Sequence, residues 1–161
     1  MSAAIIYMSH HGCTEKAALM LRKMHWKKVE LFNLRNGPPS SLKKYDTVII
    51  GGSVHMGLIQ GKISKFCSDN EEILLQKRIG LFLCHMCEGE KAVRQFNEAF
   101  SEKLRDHAVA KGLFGGEFNL EKMNRAERTL VGRSGVKKSV SHLNKKAIEG
   151  FGRVIFHLDK S

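Results

Sequence analysis

Short apolar runs alternating with helical stripes constrain the fold of this 161-residue chain more than any other feature. Ala3–Met8 (AAIIYM) is apolar and partly β-branched, which suits a strand covered on both faces. A helix is expected from Thr14 to about Met24, where Ala17, Ala18, Leu21 and Met24 recur at helical spacing. Val29–Leu34 (VELFNL) alternates apolar and polar residues as a second strand, and Asn36–Ser41, with both prolines, reads as a loop. Thr47–Ile50 is a third, buried strand that ends at Gly51-Gly52. Ile63, Phe66 and Cys67 mark a short helix from about Gly61 to Asn70, and Arg78–Cys84 (RIGLFLC) is a fourth strand. Val93, Phe96, Phe100 and Leu104 share one helical face, and a fifth strand is expected within Ala108–Phe118, around Leu113-Phe114. In the last helix, Leu143, Ala147, Ile148, Phe151, Val154, Ile155 and Leu158 form one stripe that outweighs Gly150 and Gly152.

Strands alternating with helices predict an α/β fold, a parallel sheet wrapped on both faces, within a single domain spanning residues 1–161. Ligands of such sheets sit outside the carboxyl ends of the strands, where the strand order reverses. Three strand-to-helix loops therefore matter: Ser9–Thr14, Gly51–Gly61 and His85–Glu90.

Composition narrows the function classes. At 42% hydrophobic and 27% charged residues the chain can bury a core without disulfides or metal staples. No apolar run is long enough to span a bilayer, and the N-terminus lacks the basic region and long apolar stretch of a secretory signal, so a cytoplasmic location is expected. The four cysteines, at 13, 67, 84 and 87, are then most simply free thiols. A net charge of +11 favours an anionic partner. Nucleic acid is not the expected one, because one Trp and two Tyr leave no interleaving of basic and aromatic residues. No acidic pair closes the first strand, which argues against a metal-dependent signalling receiver.

The first loop, Ser9-His10-His11-Gly12-Cys13-Thr14, opens a helix with hydroxyls at both ends and a central glycine. Backbone N–H groups and the helix dipole there suit an anion, although the same residues also suit an ordinary helix cap. Cys84-x-x-Cys87 has the spacing of a dithiol or half a zinc site. A thioredoxin-type pair opens a helix and a zinc site needs a second ligand pair, so no metal is expected and Cys84 reads as a small core residue at a strand end. His10 and His11 are neighbours whose side chains diverge, which suits loop donors better than a metal pair.

The segment IIYMSHHGCTEKAA resembles the phosphate-binding loop of flavodoxins, whose pattern is hydroxyl-x-Thr-Gly-x-Thr. Ser9, Gly12 and Thr14 match; His11 and Cys13 stand where other residues are common. The stretch from Tyr45 to Gly57 is similar to the family's (Y)DxVxIGxSIxxG motif. The resemblance implies a flavodoxin-like three-layer αβα sandwich with a five-stranded parallel sheet of order 2-1-3-4-5, and one bound flavin mononucleotide (FMN). It places Ser9, His10, His11, Gly12, Cys13 and Thr14 around the phosphate. It sets Ser53, Val54, His55, Met56 and Gly57 beside the isoalloxazine ring, with His55 and Met56 in place of the usual aromatic partner. By position in the family, Cys84, His85, Met86, Cys87, Glu88 and Gly89 cover its pyrimidine end. The flavin carries the redox chemistry, so no side chain is assigned as an acid or base.

Within the family, the GxSIxxG-like stretch and Phe114-Gly115-Gly116-Glu117-Phe118 resemble the quinone-dependent protoporphyrinogen IX dehydrogenases. Residues 121–146 hold eight Lys or Arg against Glu121 and Glu127, a stretch suited to anionic lipid or porphyrin propionates or simply to solvent. The resemblance implies an oxidoreductase with a quinone or porphyrin-type substrate and peripheral membrane contact. Two alternatives stand beside it: a small electron carrier for a redox partner protein, and a basic binding module without flavin.

Overall fold

The computed structural model describes residues 2–9, 12–25, 28–55, 58–85, 89–118, 140–141 and 143–157. Strands β1 (Ala3–Tyr7), β2 (Val29–Asn33), β3 (Thr47–His55), β5 (Arg78–Cys84) and β6 (Ala110–Leu113) are parallel, in the order β2-β1-β3-β5-β6. Counting the parallel strands alone, this is the order 2-1-3-4-5. The direction of winding reverses between β1 and β3, whose last paired residues are Tyr7 and Gly51. The short β4 (Leu58–Ile59) folds back antiparallel on the end of β3.

The pleat divides the core in two. Ala3, Ile5, Ile49 and Phe82 face α1 (Cys13–Met24) and α6 (Lys145–Ile155), through Ala17, Leu21, Ile148 and Phe151. Ala4, Ile6, Val48, Ile50, Leu81 and Leu83 face the opposite layer. There Ile63 and Phe66 of α2 (Gly61–Asp69) and Leu74 of α3 (Glu71–Leu74) meet Phe96 of α4 (Gly89–Ala99) and Leu104 of α5 (Glu102–His107). Layers on both faces explain why the central strands are continuously apolar rather than alternating.

Three sequence expectations are revised. The third strand does not stop at Gly51-Gly52. It runs on to His55 and pairs with β4 through Val54↔Ile59 and His55↔Leu58, so much of the expected loop is a hairpin. The stripe Val93–Leu104 is two helices. Ser101 Oγ accepts from Leu104 N–H at 3.3 Å and caps α5, and Val93 is left exposed. The fifth strand lies at Ala110–Leu113, with buried Phe114 just beyond it, and β7 (Glu117–Phe118) pairs antiparallel with β8 (Val140–Ser141). Residues 119–139, with most of the basic stretch, and Leu158 lie outside the described residues.

Candidate functional site

The carboxyl ends of β1, β3 and β5 bring the three loops together. Ser9 is buried just past β1, and its Oγ accepts the Gly12 N–H at 2.9 Å, drawing the loop into a closed turn. Gly12 has φ 83°, the left-handed conformation that an L side chain strains. As the residue entering α1 it has no side chain with which to cap the helix. The positive end of the α1 dipole opens on this loop.

Thr14, fully buried, lies against the second loop: its Oγ1 and Ser53 Oγ share a hydrogen bond of 2.6 Å. Ser53 is the register partner of Cys84 at the end of β5. Cys13 and Cys84 are both buried, and the Cys84 thiol is hydrogen-bonded to Cys13 and Thr14. The bond to Cys13, together with burial, holds Cys84 well above the ordinary thiol range, against a smaller lowering by Thr14. At neutral pH it is a protonated thiol, a poor nucleophile and a poor ligand.

Val54 is half-buried, packed on the α2 and α4 layer, and His55 pairs with Leu58. His85 is buried, its backbone N–H donating to the Gly115 carbonyl at 2.7 Å, and Gly89 opens α4 with φ 60°. His10, His11, Met56, Gly57, Met86, Cys87 and Glu88 lie outside the described residues. Among the described residues, no group of three or more His, Cys, Asp or Glu is placed to hold a metal ion.

The glycine pair after the third strand has a structural task. A Cβ on Gly51 would lie 1.9 Å from Phe82 Cζ, and one on Gly52 would lie 2.9 Å from Gln60 Oε1 and from Ile59 Cδ1. The space beside each is already taken by the protein's own side chains.

Two contributors escaped the sequence reading. Buried Gln60 accepts Ser53 N–H on Oε1 at 2.8 Å and donates from Nε2 to Met8 carbonyl at 3.1 Å. Arg35, just after β2, extends Nη1 to 3.4 Å from Ser9 carbonyl, bringing a cation to a loop without Lys or Arg of its own. Both contacts span too many residues for a local pattern to signal them: 26 for Arg35 and 52 for Gln60 with Met8.

The flavodoxin domain family matches residues 4–139. No curated protein matches the chain. Among solved structures, oxidised Flavodoxin 1 from Bacillus cereus is 19% identical, with 100% of each chain covered and a TM-score of 0.59. A flavodoxin from the domain Archaea is 15% identical over 98% of this chain and 96% of that one, with a TM-score of 0.57. Rubredoxin oxygen:oxidoreductase from Desulfovibrio gigas is 16% identical over 99% of this chain but 37% of that one, with a TM-score of 0.58. At these identities the likeness is one of fold.

Proposed function

The chain belongs to the flavodoxin domain family, and on that premise we propose that it binds one FMN at the carboxyl ends of β1, β3 and β5 and serves as a redox protein. The observation that carries the reading is the left-handed Gly12 at the N-terminus of α1, which has no side chain to cap the helix, with Ser9 Oγ bonded to its N–H. Backbone N–H groups at this helix entrance and the proton of the Ser9 hydroxyl would hold a phosphate there. His10, His11, Cys13 and Thr14 complete the phosphate loop, with Arg35 adding a positive charge from outside it. By the family resemblance, Ser53, Val54, His55, Met56 and Gly57 would border the ring, and Cys84, His85, Met86, Cys87, Glu88 and Gly89 would cover its pyrimidine end. The flavin supplies electron or hydride transfer when bound; the protein supplies binding, orientation and electrostatics.

The finer reading is an oxidoreductase resembling the protoporphyrinogen IX dehydrogenases, acting on a porphyrin-type substrate with a quinone acceptor. The net charge of +11 supports it, because porphyrin propionates and anionic membrane surfaces both attract a basic protein. The second reading, an electron carrier for a partner protein, is supported by the fold alone. Mixing the FMN-loaded protein with protoporphyrinogen and a quinone separates them: porphyrin fluorescence that grows only with both FMN and quinone supports the enzyme, and none leaves the carrier.

The cofactor itself is tested by titrating FMN into the protein and following quenching of its fluorescence. Gly12→Asp sets a carboxylate against the phosphate and should weaken FMN binding by roughly a hundredfold or more. Undiminished affinity in a folded Gly12→Asp protein would sink the phosphate-loop assignment.

A further inference from the structure

Past Tyr7↔Gly51 the β1–β3 ladder ends, and Met8 and Ser53 continue along the two diverging chains. This crevice is where the strand order reverses. Gln60 closes it. Its carboxamide stands between the two backbones like a detached peptide unit, accepting from Ser53 N–H at 2.8 Å and donating to Met8 carbonyl at 3.1 Å.

The orientation of the amide follows from its partners. An N–H must meet an oxygen and a carbonyl must meet an N–H, so Oε1 faces Ser53 and Nε2 faces Met8. Nε2 also lies 3.4 Å from Ser53 Oγ, and Ser53 Oγ lies 2.6 Å from Thr14 Oγ1. One side chain therefore joins Met8, the residue before the phosphate loop, to Ser53 of the ring loop and, through it, to Thr14 in the first turn of α1. Gly52 makes the seat, since a Cβ there would lie 2.9 Å from Oε1. The main chain of Gln60 starts α2, where its carbonyl accepts from Ile63 and Ser64, and its side chain makes no cap bond to that helix. An exposed residue would do for starting the helix. A buried amide satisfying backbone groups of β3 and of the chain just past β1 has a different task.

We propose that Gln60 is the positioning residue of this site: it sets the spacing of the phosphate and ring loops by bridging Met8 and Ser53, an inference that rests on the FMN reading above. Without it, the buried Met8 carbonyl and the part-buried Ser53 N–H lose this partner, and the crevice opens to admit water to them. The ligand then meets loops whose separation is no longer set in advance, and affinity falls because ordering them is charged to binding.

Two variants test this. Gln60→Met keeps the length of the side chain and removes both hydrogen-bonding ends. Gln60→Glu keeps the shape and the acceptor toward Ser53, but turns a carboxyl oxygen on Met8 carbonyl, a contact that holds only while that carboxyl carries a proton. Three readouts apply: amide hydrogen exchange in the flavin-free protein, FMN affinity, and the pH dependence of that affinity relative to wild type. Gln60→Met should speed exchange at Ser53 N–H and weaken FMN binding roughly tenfold. Gln60→Glu should approach wild-type affinity at acidic pH and fall away from it as pH rises, a profile that a merely space-filling residue does not produce. Unchanged Ser53 exchange in Gln60→Met, or a Gln60→Glu to wild-type affinity ratio that stays flat with pH, overturns the assignment. If Gln60→Met does not fold, the Gln60→Glu profile decides. If wild-type protein takes up no FMN, the functional reading fails, while exchange at Ser53 still decides whether Gln60 holds the two loops together.

Discussion

Phe82 occupies the space beside Gly51 so fully that an added Cβ would fall within its ring. That ring cannot retreat: it is fully buried, stacked on Phe114 at 4.8 Å and set edge-on to Phe151 at 6.0 Å. Gly51→Ala should therefore destabilise the fold by about 1–3 kcal/mol through overpacking. Urea unfolding would show this as a lower midpoint with an unchanged slope, and an unchanged midpoint would mean that the ring yields. Gly12 is needed for another reason, its left-handed φ at the entrance to α1. Two glycines that look alike in the sequence thus answer to different demands, one of packing and one of backbone conformation. Cys84 belongs with the packing residues despite its place in the loop cluster, since its buried, protonated thiol lies against Cys13 and Thr14.

Among the elements, α6 carries the clearest helical stripe and also two glycines, which the structure separates. Gly152 sits against α1, where a Cβ would lie 2.3 Å from Met24 Sδ, so an alanine there would require the end of the Met24 side chain to move. Gly150 faces open space. Gly150→Ala should accordingly stabilise the protein by about 0.5–1 kcal/mol, the helix propensity that glycine forgoes. Thermal unfolding measures it, and a Tm at or below that of wild type would show that Gly150 has a use beyond the helix. The break between α4 and α5 shows the limit of periodicity. Four apolar residues lie on one ideal helical face, yet Ser101 caps a new helix and Val93 is exposed. A stripe reports which residues suit one face; a hydroxyl that satisfies the next helix's N–H ends the run.

Several titratable groups of the folded molecule are held toward their neutral forms. Burial, with the charge of Glu71, pushes the Cys67 thiol up to about 12, and Cys84 is raised by Cys13 and burial. Burial and Glu15 raise the Tyr7 phenol, partly offset by Arg22. Each favours the protonated form in the folded state, so its contribution to stability is complete below the unfolded value, 9.0 for the thiols and 10.0 for the phenol. That contribution is lost as pH rises toward the folded value. Urea midpoints should fall steadily from about pH 9 upward; midpoints that hold level to about pH 11 would contradict it. No helix among the described residues is long and apolar enough to cross a membrane, in keeping with the short apolar runs. Those runs and the stripes between them determined the parallel sheet, both covering layers and the three loops at its carboxyl edge, because burial on two faces requires continuous apolar strands. The Ser9–Thr14 pattern likewise marked a helix entrance with its glycine, since the two lie together in the chain. The tertiary structure alone decided that β3 extends into a hairpin, that Gly51 and Gly52 make room for Phe82 and Gln60, and that Arg35 and Gln60 reach the site. Local patterns register only neighbours in sequence, whereas these contacts arise where distant segments are brought to the same edge of the sheet.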